Sequence, residues 1–195
     1  MSMSTASGVV LIGGSAGGLQ AILTLLPGLS PRLNAAVVIV LHRQNRADSV
    51  LAELLGIKTT LPVHEAEEKE ALMPGTIYLA PPDYHLLVET DHTLSLDYSE
   101  KVNFSRPSID VTFTSAASVF GAKTMAILLS GANDDGVEGL ADVHEAGGIT
   151  LVQDPLTAVV DFMPRHAIAA VPVDHVLAAA DMARFINDFA GVTTG

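Results

Sequence analysis

Residues 9–28, VVLIGGSAGGLQAILTLLPG, decide the fold of this chain. The apolar run Val9–Ile12 predicts a buried strand. After a glycine-rich turn, the segment from Gly17 to Leu26 carries apolar residues at positions i, i+3, i+4 and i+7, which predicts a helix that ends before Pro27 and Gly28. A strand, a tight turn and a helix in this order are typical of the first unit of an α/β protein.

The same rhythm continues along the chain. Four further runs rich in Val and Ile predict strands, at Ala36–Leu41, Thr124–Leu129, Ile149–Val152 and Val173–Leu177. Segments with helical spacing predict helices at Asp48–Leu55, Pro107–Val119, Asp134–Ala146, just after Pro164 and at Ala180–Phe189. Strands that are apolar on both faces and alternate with helices indicate a doubly wound, mostly parallel sheet flanked by helices, so the predicted fold class is α/β.

The middle of the chain departs from this rhythm. Short strand-like runs at Thr76–Ala80, Tyr84–Glu89 and Thr93–Tyr98, the last two separated by a tight turn, predict an antiparallel β-hairpin excursion around residues 76–98. With no repeat, linker or low-complexity tract, we expect one domain at residues 9–190, a short flexible N-terminus at 1–8 and a tail at 191–195.

Composition and charge exclude several classes of protein. The chain has 195 residues, 49% of them hydrophobic, with 10 basic and 22 acidic side chains and a net charge of −12, so it can bury a core but is poorly suited to coat nucleic acid. Residues 1–62 contain 4 basic and 2 acidic side chains, whereas residues 63–195 contain 6 and 20, which predicts that an anion-facing surface lies in the first third.

Cysteine is absent, which excludes disulfides, zinc-thiolate sites and a cysteine nucleophile. The histidines show no metal-ligand spacing, so we expect neither a metal nor another cofactor. We find no membrane-length apolar run and no signal-peptide pattern, and therefore expect a cytoplasmic protein that is not membrane-inserted.

The turn Gly13-Gly14-Ser15-Ala16-Gly17-Gly18 can be compared with three known motifs. It fits a dinucleotide-binding fingerprint poorly, because Ser15 stands where the second glycine is needed, and it lacks the lysine of a P-loop. It matches G-x-S-x-G, a sharp turn that exposes a nucleophilic serine above the end of a strand. Alternatively, Ser15 only caps the following helix.

A nucleophilic serine needs a base and an orienting acid, and both residue types follow other predicted strands. His42 comes directly after the second strand, and Asp135 follows the strand Thr124–Leu129. Because the carboxyl ends of parallel strands lie on one edge of the sheet, Ser15, His42 and Asp135 are a candidate catalytic triad. The alternatives are a histidine that merely ends a strand and, for Asp134 and Asp135, acids placed near a helix start.

The chain resembles the catalytic domain of CheB-type protein-glutamate methylesterases, enzymes of chemotaxis that demethylate receptor glutamates. The resemblance spans Val9 to Phe189 and rests on ordered blocks: IGGSAGG at 12–18, LH at 41–42, PGTIYLAPPDYHL at 74–86, RPSIDVTFTSAA at 106–117, LLSGANDDGVEGL at 128–140, EAGGITLVQD at 145–154 and FMPRHAI at 162–168. It implies that Ser15 is the nucleophile, His42 the base and Asp135 the acid. It also implies hydrolysis of glutamyl methyl esters, and glutamine deamidation at the same site.

This sequence departs from the family pattern around the reacting group. Ala16 replaces the usual threonine after the nucleophile, and Ser130-Gly131-Ala132-Asn133 replaces TGMG before the acid. The backbone N–H groups of Ala16 and Ala132 remain candidates for an oxyanion hole, although side-chain help from threonine or methionine is lost. A catalytically silent module with the same fold is therefore the main alternative, and a dinucleotide-binding oxidoreductase is the other.

Four arginines are candidate substrate contacts. Arg43 and Arg46 follow His42 in the net-positive third, and Arg106 and Arg165 lie in blocks shared with the family. Ordinary solvated charges and structural ion pairs are the alternatives. The resemblance implies a methyl-accepting chemotaxis receptor or a similar signalling protein as substrate. Since residues 1–8 are too short to be the receiver domain typical of the family, we expect a free domain, a separate regulatory chain, or a domain cut from a longer protein.

Overall fold

The strand–turn–helix predicted for residues 9–28 is present in the computed structural model, which describes residues 5–43 and 50–192. The strands are β1 (Val9–Gly14), β2 (Ala36–Leu41), β3 (Val63–Glu65), β4 (Ile77–Leu79), β5 (His85–Val88), β6 (Leu94–Asp97), β7 (Thr124–Leu128), β8 (Ile149–Gln153) and β9 (His175–Leu177). The helices are α1 (Gly18–Leu25), α2 (Val50–Gly56), α3 (Ile109–Phe120), α4 (Val137–Glu145), α5 (Phe162–Ala170) and α6 (Ala179–Phe189).

Seven strands form one parallel sheet in the order β3-β4-β2-β1-β7-β8-β9. Beginning at β1 in the middle, the chain moves through α1 to β2 on one side and later through α4 from β7 to β8 on the other. The sheet therefore has a topological switch point between β1 and β7, and in open α/β sheets this is where ligands bind. The predicted α/β class and doubly wound arrangement are confirmed.

The central strands are buried on both faces because alternate residues enter two separate apolar layers. On β1, Val9 and Leu11 pack in one layer and Val10 and Ile12 in the other. The first layer is covered by α3, α4, α5 and the β5–β6 hairpin, and the second by α1, α2 and α6. Packing on both faces fixes where the strands end, and the loops that follow them are thereby placed along the carboxyl edge of the sheet.

The antiparallel excursion is a two-stranded hairpin in which β5 pairs with β6. It is confined to residues 85–97, because β4, at the start of the predicted excursion, pairs in parallel with β2 and β3 in the main sheet. The strand β3 is not predicted from the sequence, because this three-residue edge strand has no fully buried residue and so no apolar run to mark it.

Several element boundaries differ from the prediction. Helix α4 begins at Val137 rather than Asp134, since Gly136 takes the cap position with a φ of 104°. Pro107 precedes α3 and Ser108 caps it. The predicted helix at Asp48–Leu55 begins outside the described residues, and α2 runs from Val50 to Gly56.

The end of the segment expected to be a flexible N-terminus packs against the domain. Ala6 is buried, and its N–H donates to the carbonyl of Leu72 over 2.9 Å. In the described part of the chain, no helix has the length and apolarity needed to cross a bilayer.

Candidate active site

Ser15 lies in the turn between β1 and α1, at the carboxyl edge of the sheet. Helix α1 is capped by Gly17, which has a φ of 81° and no side-chain capping bond, so Ser15 does not have the simple capping role considered as an alternative. Gly17 is required twice, because its φ favours glycine and because a Cβ there would lie 2.6 Å from Ser130 Oγ and from Val159 Cβ. The turn thus leaves Ser15 partly exposed while its backbone packs tightly against two other loops.

His42 reaches the same place from β2. The parallel register pairs Gly14 with Leu41, and the His42 N–H donates to the Gly14 carbonyl over 3.1 Å. Ser15 and His42 therefore follow directly after paired residues on strands that run about 4.8 Å apart. Among the hydrogen bonds of the described residues, none joins Ser15 Oγ to the His42 ring, which is common before substrate binds.

Asp135 is fully buried in the loop between β7 and α4 and bonds the His42 ring. His42 Nε2 lies 2.6 Å from Asp135 Oδ2. The same carboxylate accepts the N–H of Ile109 at 2.7 Å and of Asp110 at 3.1 Å, and the Ser108 hydroxyl at 2.7 Å. It therefore sits against the N-terminus of α3, where free N–H groups and the helix dipole stabilise negative charge.

These contacts decide the charge of Asp135. Burial acts to raise the pKa of Asp135, but the hydrogen bonds from His42, Ile109 and Ser108 outweigh it and hold the pKa below its usual value. An ionised carboxylate can only accept, so Nε2 of His42 must carry the hydrogen and Nδ1 must be the acceptor of a neutral ring.

A second carboxyl group, Asp110, lies beside this pair and was not found by the sequence analysis. Its Oδ1 accepts the N–H of Gly136 at 2.9 Å and of Gly139 at 2.7 Å, so it fastens the start of α4 to the start of α3. Burial raises the pKa of Asp110 to about 7, and the charge of Asp135 adds to this effect, while the bond from Gly139 opposes it. No motif signals this role, because the contacts join segments about 26 residues apart.

Asn133 is the other polar neighbour of the histidine. Its Oδ1 accepts the N–H of Asp135 at 3.2 Å, and its Nδ2 lies 3.5 Å from His42 Nδ1. The latter distance is at the outer limit of a hydrogen bond. The lone pair of Nδ1 is therefore only weakly engaged by Asn133 and can accept another proton donor. The sequence marked Asn133 as a departure from the family pattern, and the structure places it against the ring.

The oxyanion candidates lie on two facing loops. Ser15 N–H donates to the Ser130 carbonyl at 2.9 Å, and Ser130 Oγ lies 2.7 Å from the Ala16 carbonyl, so the serine at position 130 joins the two turns. Ala16 and Ala132 are exposed, and within the described residues neither N–H has an acceptor. By contrast, the Gly131 N–H donates a hydrogen bond to the Val160 carbonyl.

The four candidate arginines are distributed differently. Arg43 and Arg106 line a cleft of about 400 Å³ that adjoins His42. Arg165 does not line it, and its Nε instead donates to Asp161 one helical turn away at 2.6 Å. Arg46 lies outside the described residues. Over the ranges that the structure describes, no cluster of three or more His, Asp or Glu side chains could hold a metal ion.

Comparison with known proteins identifies the family. The family model described as CheB methylesterase matches residues 10–186. The chain belongs to the CheB methylesterase family. A Leptospira interrogans protein, provisionally named a protein-glutamate methylesterase/protein-glutamine glutaminase, is 47% identical over 174 residues, which cover 89% of this chain and 90% of that protein.

The CheB family resemblance extends to a solved structure. The crystal structure of the Thermotoga maritima CheB methylesterase catalytic domain superposes with a TM-score of 0.90 at 34% identity, covering 93% of this chain and 97% of that one. The Thermotoga maritima protein-glutamate methylesterase/protein-glutamine glutaminase is 36% identical, and this chain spans 51% of its length. Because the chain belongs to the CheB family, the glycine-rich turn is not interpreted as a dinucleotide-binding site.

Proposed function

We propose that this chain hydrolyses γ-methyl esters of glutamate on a signalling protein, with Ser15 as nucleophile, His42 as base and Asp135 as orienting acid. One observation carries the proposal: His42 Nε2 bonds a buried, charge-stabilised Asp135 at the sheet edge where Ser15 follows the neighbouring strand. The family and the names of the relatives agree with this chemistry. Ester hydrolysis by a triad and an oxyanion hole requires no metal or organic cofactor.

The proposed reaction begins with proton transfer from Ser15 Oγ to His42 Nδ1 as the oxygen attacks the ester carbonyl. The N–H groups of Ala16 and Ala132 stabilise the oxyanion, and Asp135 stabilises the imidazolium through Nε2. As the tetrahedral intermediate collapses, the methoxy oxygen takes the proton from Nδ1 and leaves as methanol, and a glutamyl ester remains on Ser15. A water molecule then repeats the two steps and releases glutamate.

A glutamine side chain fits the same sequence of steps. Its amide nitrogen takes the proton from Nδ1 and leaves as ammonia, and the same acyl-enzyme is hydrolysed to glutamate. The proposed activities therefore share one site, and the names of the relatives join the same two activities.

The proposed substrate is a methyl-accepting chemotaxis receptor or a similar signalling protein, and the proposed compartment is the cytoplasm. A separate regulatory chain is compatible with this proposal. Within it, Arg43 and Arg106 are substrate contacts because they line the cleft beside His42, whereas Arg165 is held by Asp161.

The decisive experiment measures methanol release from a methylated receptor fragment. We expect Ser15→Ala to reduce the rate by at least about 10³-fold, since the residue that forms the acyl-enzyme is removed. The matched control is Ser118→Ala, which removes an exposed hydroxyl on α3 bonded only to the Ser115 carbonyl. Equal thermal unfolding of both variants shows that the fold is kept, and full activity of Ser15→Ala would reject the proposal.

The silent-module alternative is tested separately. A live triad reacts with a small organophosphate at Ser15, and mass spectrometry then finds the adduct on the peptide containing residue 15. We expect this adduct in the native chain and its loss in His42→Gln. A folded native chain that neither forms the adduct nor releases methanol would favour the silent module.

A further inference from the structure

The cleft beside His42 contains charged groups that the triad does not use. Its lining includes His42, Arg43, Asp83, Lys101, Phe104 and Arg106. At about 400 Å³ it can hold the side chains that flank a reacting residue. What occupies it can be inferred from the hydrogen bonds that its arginines make and leave unmade.

Both arginines of the cleft have a buried N–H without an acceptor. Within the described residues, three buried side-chain atoms have no hydrogen-bond partner: Arg43 Nε, Arg106 Nε and Thr124 Oγ1. The first two belong to arginines that line this cleft. A group that enters the cleft cannot reach these enclosed Nε atoms and meets instead the terminal nitrogens Arg43 Nη1 and Arg106 Nη2. Within the described residues neither of these two has a hydrogen-bond acceptor, whereas Arg43 Nη2 and Arg106 Nη1 do. Each arginine therefore offers a charged N–H group to an acceptor that enters from outside.

The guanidinium groups are also held in place. Arg106 lies 4.0 Å from the centre of the Tyr98 ring, and its Nη1 donates to the Ser99 carbonyl at 2.7 Å. Arg43 is fixed by an ion pair to Glu65 and by the Ala80 carbonyl at 3.4 Å. A planar guanidinium that is fixed in this way presents its remaining N–H groups in a set direction, which suits a carboxylate better than a single-point acceptor.

The charge of the cleft selects an anion. The chain as a whole carries a net charge of −12 and only 10 basic side chains, yet Arg43, Lys101 and Arg106 all line this cleft. Among the residues that line the cleft the acid is Asp83. Beyond the lining, Glu65 is paired with Arg43 and the charge of Asp97 interacts with that of Arg106. An acidic substrate is repelled by most of this molecule, so a local positive site is needed to receive it.

We infer that the cleft binds a carboxylate of the substrate protein, on an acidic residue that neighbours the esterified glutamate. This inference rests on the proposed function, because His42 at the cleft wall fixes where the reacting ester lies. The unesterified carboxylate pairs with Arg106 and Arg43, and Lys101 adds charge at the exposed side. The site thereby prefers methyl esters in acidic segments.

The test compares peptides of one sequence that each carry a single glutamate methyl ester. In each pair, one flanking position between −4 and +4 holds either glutamate or glutamine, and methanol release gives kcat/KM. For the native chain we expect at least one position where the glutamate peptide is favoured about tenfold, the effect of one charge-assisted pair. Equal rates at every position, with methanol still released, would overturn the subsite but leave the proposed function standing.

The variants assign this preference to the cleft. In Arg106→Gln we expect the ratio of kcat/KM between the glutamate and glutamine peptides to fall to about one. In Arg106→Lys, which keeps the positive charge but loses the paired N–H groups of the guanidinium, we expect an intermediate ratio. The matched control is Arg184→Gln, which removes an exposed arginine near Phe185 on α6 and is expected to keep the native ratio. A native ratio in Arg106→Gln and in Arg43→Gln would overturn the proposal.

Two further readouts separate the outcomes. Thermal unfolding identifies a variant that fails to fold, and Arg106→Lys then carries the comparison. Methanol release that survives Ser15→Ala would reject the proposed function itself, which the peptide ratios do not test. Inorganic phosphate added to the native chain should reduce the rate on the glutamate peptide more than on the glutamine peptide, and equal inhibition of both would count against a carboxylate subsite.

Discussion

The two ring nitrogens of His42 have different partners for a reason that lies in the sheet order. His42 follows β2, Asp135 follows β7, and β1 with Ser15 lies between them. The ring must therefore extend past the end of β1, so that its far atom, Nε2, reaches the acid at 2.6 Å. Nδ1, which is closer to the backbone of His42, is left as the acceptor for the proposed proton transfer from Ser15. Serine proteases of the trypsin type use the opposite assignment, with the acid at Nδ1.

This arrangement makes Asp135 a sensitive residue. We expect Asp135→Asn to lower kcat for methanol release by about 10³–10⁴-fold, because an amide neither fixes the tautomer of His42 nor stabilises the imidazolium. Asp134→Asn, an exposed neighbour, is the control and should retain native kcat. Similar rates for the two variants would contradict the assignment of Asp135 as the orienting acid.

At the level of elements, the N-terminus of α3 organises the site. Ser108 caps the helix by accepting the Val111 N–H, and its hydroxyl also donates to Asp135 at 2.7 Å. Asp110, in the first turn, fastens the start of α4 through Gly136 and Gly139. A short segment thus holds both the acid and the helix that follows it, which explains why the block RPSID carries no reacting group of its own but lies at the site.

Asp110 should make the stability of this α3–α4 junction depend on pH. Burial raises the pKa of Asp110 to about 7 in the folded chain, so between about pH 4 and 7 the unfolded chain has lost a proton that the folded chain retains. The contribution of Asp110 to the free energy of unfolding is therefore greatest below about pH 4 and is lost as pH rises through 7. Asp135, whose pKa is lowered, contributes in the opposite sense and only at more acidic pH.

The measurement is urea unfolding of the native chain and Asp110→Asn at several values between about pH 5 and 8. Asparagine keeps an oxygen acceptor for the two glycine N–H groups but cannot titrate. We expect the free energy of unfolding of the variant, relative to the native chain, to increase with pH across this range. A difference that is constant with pH would show that Asp110 does not titrate there.

At the level of the whole molecule, the charge is strongly unbalanced. The net charge is −12, and the ion pairs of the described residues are four, two of them through histidine. Repulsion between acids should therefore outweigh the attraction that salt screens. We expect the thermal midpoint to rise by about 2–4 °C, equivalent to about 1 kcal/mol, between low salt and about 0.2 M NaCl. A falling midpoint in both sodium and choline chloride would contradict this expectation.

Much of the fold could be predicted because its strands and helices follow from local patterns of apolar residues. The apolar runs at β1, β2, β7 and β8 and the helical spacing of α1 follow from burial on one or both faces, which repeats at fixed intervals along the chain. The start of α4 and the short strand β3 were missed. A glycine cap at position 136 and a half-buried edge strand leave no such pattern.

For the candidate site, too, the local features could be predicted from the sequence and the contacts between distant segments could not. The sequence alone determined that Ser15, His42 and Asp135 each follow a buried strand and that they match one family, because strand ends and motif blocks are local properties. Only the tertiary structure decided which nitrogen of His42 meets the acid, that Asp110 and Asn133 stand beside it, and that Arg43 and Arg106 share a cleft while Arg165 does not. These contacts join loops far apart in the chain, and the order of strands in the sheet, which no local pattern encodes, brings them together.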